Sequence, residues 1–392
     1  MPAPELDLVI VGGGPAGLSL ALHLDPAIAA RTVLLEKARY PREKPCAGAI
    51  GGRGIRALRA VGAMPDVPNV PLDGVSIRMR DGLLVSRTPG FGAVVRRIEF
   101  DAALAEHARK RVLLREGAAV RAVELADDGV TVRLHGGETL RARAIVGADG
   151  VGSVVRKATG FSGGRLRAQV VELDTEPVEG DPPRDLAHFD CADRELPGYA
   201  WDFPTVVDGE ALVCRGVYLI RSMGAGNVHE LLRRYLAKKG LDMERYALKP
   251  FAERGFDPGE PVSRPRVLLA GEAAGIDIAT GEGIAQAIQY GALAAAYLAG
   301  GLARDDLSFA DWTSRVRRAA PGPAMIVREG AHRLFFPHRE IGERVLLENP
   351  AIVDLFAQHM AGNPTTSWGS LVRRLHWRLV PWAVRTLRAE PG

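Results

Sequence analysis

The chain has 392 residues, enough for one large or two modest domains, each with a real core. A quarter of the residues are charged and the signs nearly balance, leaving a net charge of +4. No basic-aromatic motif accompanies that charge, so nucleic acid is not an expected partner. The three cysteines, Cys46, Cys191 and Cys214, form no CxxC pair, which argues against a metal site or disulfide scaffold and fits a reducing, cytoplasmic setting.

The opening MPAPELD has neither a basic region nor an apolar core, so no signal peptide is expected. LDLVIVG, 6–12, is a short apolar run of the kind buried on both faces of a parallel sheet. Gly12-Gly13-Gly14-Pro15-Ala16-Gly17 follows as a GxGxxG turn, then an alanine-leucine helix to about Leu24 and a second parallel strand, TVLLE, ending on Glu36 with Lys37 beside it. Strand, glycine turn, helix, strand and acid in this order define a dinucleotide site. The glycines let backbone approach a pyrophosphate, the helix N-terminus supplies N–H donors, and Glu36 can accept ribose hydroxyls. This unit alone does not choose between FAD and NAD.

Residues 40–56 are rich in Pro, Gly and Arg and are expected to form a loop reaching over a ligand. Strands are expected over 72–95, with an amphipathic helix at 98–110 and Arg97 just before it. A β-meander with turns at Asp128-Gly129 and Gly136-Gly137 is expected to end on a strand at Asp149. Strands dominate 165–265 apart from a helical stretch near 228–239. VLLAG, 267–271, returns to the parallel sheet, and its helix starts at about 282. The uncharged stretch Ile284–Ala303 has the length of a membrane span, but it is alanine-rich and carries Gln286, Gln289 and Tyr290. It is expected to be a buried helix.

The expected fold is mixed α/β. A Rossmann-like cofactor-binding domain (1–70, 96–160 and 264–330) is interleaved with an antiparallel-sheet substrate domain (71–95 and 161–263), and a helical C-terminal region covers 331–392. In the tail from Trp368, Trp377 and Trp382 alternate with Arg373, Arg374, Arg378, Arg385 and Arg388, interrupted by Pro381. Such a segment either packs on the body with its arginines solvated or, over 368–388, lies in a membrane interface. The first alternative is favoured.

Two further segments point to FAD. Gly147-Ala148-Asp149-Gly150 ends one strand, with Ser153 and Arg156 after it; Gly271-Glu272-Ala273-Ala274-Gly275 ends another, with Gly281-Glu282-Gly283-Ile284 opening a helix. This set resembles the flavoprotein group of para-hydroxybenzoate-type hydroxylases, flavin halogenases and geranylgeranyl reductases. The resemblance implies that Asp149 belongs to the cofactor site and that the second segment, with Gly271 and Glu272, serves the ribityl and pyrophosphate part of FAD. Glu272 stands where the group usually has Asp. It further implies that Gly281, Gly283 and Ile284 point a helix N-terminus at the flavin ring, favouring its reduced state. Arg97, in an Arg-x-x-Phe-Asp context, is implied near the flavin; the alternative is a surface cap for its helix.

Pro197-Gly198-Tyr199-Ala200-Trp201-Asp202-Phe203-Pro204 alternates so that Tyr199, Trp201 and Phe203 share one strand face, with Ala200 and Asp202 on the other. The stretch resembles the PxxYxWxFP pattern of the geranylgeranyl reductase family at its Tyr, Trp, Phe and final Pro, with Pro197 one residue nearer the tyrosine than the pattern has it. That resemblance implies hydride delivery from reduced flavin to carbon–carbon double bonds of an apolar, isoprenoid-like chain lying along the aromatic wall. Cys46, in Lys44-Pro45-Cys46-Ala47-Gly48, is the implied acid, although a free Cys also serves as a buried hydrophobe.

Halogenation lacks its lysine, since none lies between Lys44 and Lys110, and the tryptophan pattern differs. An FAD-dependent monooxygenase is the alternative enzyme, and a non-catalytic FAD-binding protein the alternative of another class. No second GxGxxG βαβ unit occurs, so electrons come from NAD(P)H bound transiently or from an electron-donor protein such as reduced ferredoxin.

Overall fold

The computed structural model describes residues 6–363 and Arg373; apart from that arginine, the tryptophan-bearing tail lies outside the described residues. The chain opens with β1 (Leu6–Val11), α1 (Pro15–His23), α2 (Pro26–Ala29), β2 (Thr32–Leu35), β3 (Ala49–Gly51), α3 (Gly52–Ala60), β4 (Asn69–Met79), β5 (Gly82–Val95) and α4 (Arg97–Arg109). It continues with β6 (Leu113–Arg115), β7 (Val120–Ala126), β8 (Gly129–Leu134), β9 (Thr139–Gly147), α5 (Val154–Ala158), β10 (Arg167–Thr175), β11 (Ala187–Asp190), β12 (Gly198–Val207) and β13 (Glu210–Ile220). After α6 (Val228–Ala237) come β14 (Lys249–Arg254), β15 (Ser263–Arg264), β16 (Val267–Leu269), α7 (Ile284–Ala303), α8 (Trp312–Arg318), α9 (Gly322–Phe335), α10 (Arg339–Glu348) and α11 (Ala351–Ala361).

Two sheets organise these elements. The first runs β15-β16-β9-β1-β2-β6, with β7 and β8 attached through β9; the second runs β14-β10-β13-β12-β11-β4-β5-β3. In the first, β1 pairs in parallel with both β2 and β9, and Leu8, Val9 and Ile10 are fully buried. A continuous apolar run is what a strand covered on both faces requires. The second sheet is antiparallel except where β11 runs parallel to β4. The first meander turn falls at Asp127-Asp128, one residue earlier than expected, because Ala126 pairs with Gly129.

The Pro- and Gly-rich run at 40–56 is a loop only as far as Gly48. Residues 49–51 form β3, which joins the second sheet through β5, and a helix begins at Gly52. Its glycines serve close packing: a Cβ on Gly54 would stand 2.9 Å from the Ala285 Cα of α7.

The helix α7 occupies the centre. Its small residues let it lie tightly on α1, where Ser19 Oγ donates to the Ile288 carbonyl at 2.8 Å. No helix among the described residues is long and apolar enough to cross a membrane. A Cβ on Gly291 would meet the Leu20 nitrogen at 2.5 Å and the Ala16 carbonyl at 2.6 Å. Gly291→Leu should therefore push α1 off α7 and lower stability by about 1–3 kcal/mol, the usual cost of overpacking. Urea denaturation would read the loss, and an unchanged midpoint would refute the close contact.

Candidate functional site

Both sheets and the loop at 40–48 enclose one cavity of about 730 Å³, within the range of cofactor and substrate sites. At one end lies the glycine turn. Gly12 has φ of 105°, and a side chain there would strike the Ala148 carbonyl at 2.4 Å, so β1 leaves the sheet in a way only glycine permits. Beyond Gly14 nothing lies within 4 Å of a hypothetical Cβ, which leaves its backbone open to an approaching group. Pro15 and Ala16 also line the cavity, at the N-terminus of α1. Glu36 is buried, accepting the Gly13 N–H at 2.7 Å and the Ala38 N–H at 2.9 Å; Lys37 is exposed at the rim.

Two residues not foreseen from sequence cover this turn. The Tyr40 hydroxyl donates to the Gly13 carbonyl, and Arg42 donates to the same oxygen at 2.9 Å. Arg42 also faces Asp101 at 3.2 Å and Glu36 at 3.7 Å. Gly17 and Gly271 do not line the cavity. Gly17 packs beneath the Gly12 carbonyl and Gly271 against Ala16, so both act by letting backbones approach.

In the middle of the cavity, Asp149 spends its carboxylate on capping α5, accepting from Ser153 Oγ at 2.6 Å and from the Val154 N–H at 2.7 Å. Burial pushes its carboxyl up. Glu272 is different: its Oε1 is buried with no hydrogen-bond partner, and burial pushes the carboxyl up. A desolvated carboxylate oxygen without a donor is costly, and a ligand hydroxyl would relieve it. Next to it stands Glu253, whose Oε2 accepts the Tyr218 hydroxyl at 2.9 Å. Burial, reinforced by the charge of Glu272, holds the Glu253 carboxyl well above the usual carboxylate range.

The turn Gly281-Glu282-Gly283 enters α7 with no side-chain cap, leaving the N–H groups of that 20-residue helix directed at the cavity. An unexpected buried ion cluster fixes this turn. Arg328 of α9 reaches Asp277 at 2.6 Å and Glu282 at 3.0 Å, and Arg53 of α3 also pairs with Glu282. Gln286 accepts the Asp277 N–H at 2.9 Å. From α11, Phe356 lies 4.7 Å from the Arg328 guanidinium, and His359 meets Arg53. Burial and the two arginine charges push His359 down to about 2, so it stays neutral.

The far wall is the second sheet. Tyr199, Trp201 and Phe203 share the inner face with Phe189, which contacts Tyr199 and Phe203 edge-on at 5.1 and 5.2 Å. Tyr218 stacks on Tyr199 at 5.0 Å and 5°. Trp201 lies over Gly216, where any Cβ would stand 2.2 Å from the indole. On the reverse face Asp202 pairs with Arg215 at 2.8 Å and Lys239 at 2.7 Å. The Tyr199 hydroxyl donates to the Thr280 carbonyl at 2.6 Å, tying this wall to the turn before α7.

Cys46 lines the same cavity from the 40–48 loop. Its Sγ accepts the Gly48 N–H at 3.4 Å, and burial pushes the thiol up, so it holds its proton at neutral pH. Nearby, Arg97 begins α4 and grips Asp101 through two bonds of 2.7 and 2.6 Å. Arg97 is buried rather than a surface cap. Lys44 faces the two acids Glu253 and Glu272 and sits over the Phe251 ring at 5.7 Å. An open glycine backbone, an unpartnered buried carboxylate oxygen, an uncapped helix N-terminus and a long cavity together fit FAD.

Residues 5–184 match the FAD binding domain family. A digeranylgeranylglycerophospholipid reductase 2 of Methanopyrus kandleri is 30% identical over 335 residues, covering 78% of this chain and 79% of that protein. A rifampicin monooxygenase of Streptomyces venezuelae is 32% identical over 165 residues, 40% of this chain and 34% of that protein. A solved geranylgeranyl bacteriochlorophyll reductase-like structure from Thermoplasma acidophilum superposes with a TM-score of 0.68 at 19% identity, covering 99% of both chains. Fold, cavity and similarity define an FAD-dependent oxidoreductase. Within that class the chain belongs to the geranylgeranyl reductase family.

Removing one cation from the cluster should expose its importance. Arg328→Met leaves Asp277 and Glu282 buried beside Arg53 alone and should cost about 3–5 kcal/mol, the penalty of stranding a buried charge. FAD retention after gel filtration should fall with it. Wild-type stability in Arg328→Met would show that the cluster does not hold the turn.

Proposed function

We propose that this protein reduces carbon–carbon double bonds of a long, apolar, isoprenoid-like substrate. The observation that carries the reading is that one cavity joins the cofactor-fitting turn, the wall of Tyr199, Trp201 and Phe203, and a thiol that keeps its proton. An apolar chain buried along that wall gains about 25 cal/mol for each Å² removed from water, without needing a polar anchor.

In this reading, the turn of Gly12, Gly14, Pro15, Ala16 and Gly17, with Glu36 and Lys37, holds the AMP half of FAD. Glu272 accepts ribityl hydroxyls through its free Oε1, with Asp149 and Gly271 shaping the turns on either side. Gly281, Gly283 and Ile284 would present the N-terminus of α7 to the ring, with Arg97 lining the same cavity. When bound, FAD supplies the hydride, and NAD(P)H or reduced ferredoxin replenishes it. An unactivated alkene takes a hydride only as a proton arrives at the neighbouring carbon. Cys46 holds that proton at Sγ, and the aromatic wall excludes water that would compete for it.

The likeness to a monooxygenase over 165 residues favours oxygenation as the second reading. Protein with photoreduced flavin, mixed anaerobically with geranylgeraniol, separates the two. Reduction predicts flavin reoxidation and a product heavier by two hydrogens. Reoxidation only after oxygen is admitted, with one oxygen gained, would establish the second reading instead. Cys46→Ala should slow the anaerobic reoxidation by about 10²-fold or more while FAD content stays constant; an unchanged rate would remove Cys46 from the chemistry.

A further inference from the structure

If Cys46 gives its proton to an alkene, the thiolate left behind needs a new proton before the next double bond is reduced. The two hydroxyls of the aromatic wall are already committed, Tyr199 to the Thr280 carbonyl and Tyr218 to Glu253. Behind the loop, however, lies a second, polar cavity of about 30 Å³ lined by Cys46, Glu172, Asp174, Thr205, Cys214 and Lys249. That volume accommodates a water molecule. Cys46 therefore borders both spaces.

Glu172 is the unusual member. It sits in an otherwise apolar stretch of β10, opposite Gly216, and is 2% exposed. Its Oε1 accepts the backbone N–H of Cys46 at 2.7 Å, while its Oε2 has no partner. An isolated buried acid of this kind is expensive to keep. The charged groups around it are Asp174 on its own strand, Lys249 on β14 and Lys44 on the loop. Lys249 and Asp174 pair at 2.6 Å and are 30% and 20% exposed, so the cavity has a polar edge at the surface. Around the thiol stand Arg97, which favours its ionisation, and Glu172 and Glu253, which oppose it.

We propose that Glu172 returns a proton to the Cys46 thiolate between turnovers, drawing it from solvent through the cavity edged by Asp174 and Lys249. This rests on the reading of Cys46 as the acid. The S–H bond breaks as the substrate C–H bond forms. The Glu172 O–H then breaks as S–H is restored, and the carboxylate takes up a solvent proton. No electrons change hands in the last two steps; the hydride that accompanies the first comes from reduced FAD. Burial, the largest influence, and Asp174 raise the Glu172 carboxyl to about 7 against the pull of Lys249 and Lys44. It can thus give and regain a proton near neutrality. As pH rises through that value the protonated fraction falls, and supply falls with it.

Glu172→Gln separates proton supply from scaffolding, because the amide oxygen still accepts the Cys46 N–H but has no proton to give. With FAD-loaded protein, geranylgeraniol and dithionite as reductant, the ratio of steady-state to first-turnover rate should drop at least tenfold in the variant. The wild-type ratio should decline above pH 7, and this dependence should vanish in the variant. Equal ratios and equal pH profiles would overturn the proposal. A second measurement needs no turnover: iodoacetamide labelling of Cys46, read by peptide mass spectrometry against pH. Loss of the Glu172 charge should move its onset about one pH unit lower. Coincident labelling curves would overturn the coupling, whereas a wild type that labels as expected but never reduces the alkene would fault the functional reading alone.

Discussion

Two arginines buried against two carboxylates hold the turn on which the site depends. Arg53, Arg328, Asp277 and Glu282 come from α3, α9 and the segment before α7, and α11 closes over them with Phe356 and His359. A buried ion cluster returns little net stability over an apolar one of the same shape. What it supplies is geometry, since each charge tolerates only positions where its partners remain in reach. The C-terminal helices are therefore part of the site's frame. Because Tyr199 donates to Thr280 inside the same turn, the aromatic wall takes its position from the cluster as well.

The cavity is divided electrostatically by the same frame. Positive potential comes from the N-termini of α1 and α7, which both line it and would favour the pyrophosphate charge of FAD and, when reduced, its ring charge. Arg97 is matched by Asp101, and Lys44 stands opposite two acids, Glu253 and Glu272; burial, reinforced by the charge of Glu272, holds the Glu253 carboxyl well above the usual carboxylate range. The centre is thus close to neutral. Such a centre suits an alkene, which brings no charge of its own and needs a proton and a hydride placed on adjacent carbons.

Much of this was legible in the sequence wherever a short pattern settles a local structure. The run LDLVIVG, the glycine turn and Glu36 specify β1, α1 and β2 together, and strand alternation placed Tyr199, Trp201 and Phe203 on one face. Misreadings came where one composition serves two purposes. The glycines of 40–56 signal a loop, yet Gly52 and Gly54 make room for α7 instead of bending the chain. The structure packs Gly17 against the Gly12 carbonyl and Gly271 against Ala16, a role the sequence does not separate from ligand contact because a missing Cβ looks the same in either. Tyr218, Glu253 and Arg328 are not legible because topology brings them to the site from distant segments, whereas Tyr40 and Arg42 lie in the expected ligand-covering loop, whose pattern does not say which side chains turn inward. Glu172 left a fainter trace, a lone acid inside the apolar run of β10, which a strand facing the solvent would also show.

In the proposed reading, the ring of FAD would sit in the cavity that the Gly281–Gly283 turn, Cys46 and the aromatic wall line together. A crystal structure of the FAD-loaded protein tests this most directly. The account requires a ribityl hydroxyl within hydrogen-bond distance of Glu272 Oε1, and Tyr199 and Trp201 across open space from the ring. A ring seated away from Cys46, with Glu272 still unpartnered and the wall out of reach, would contradict it.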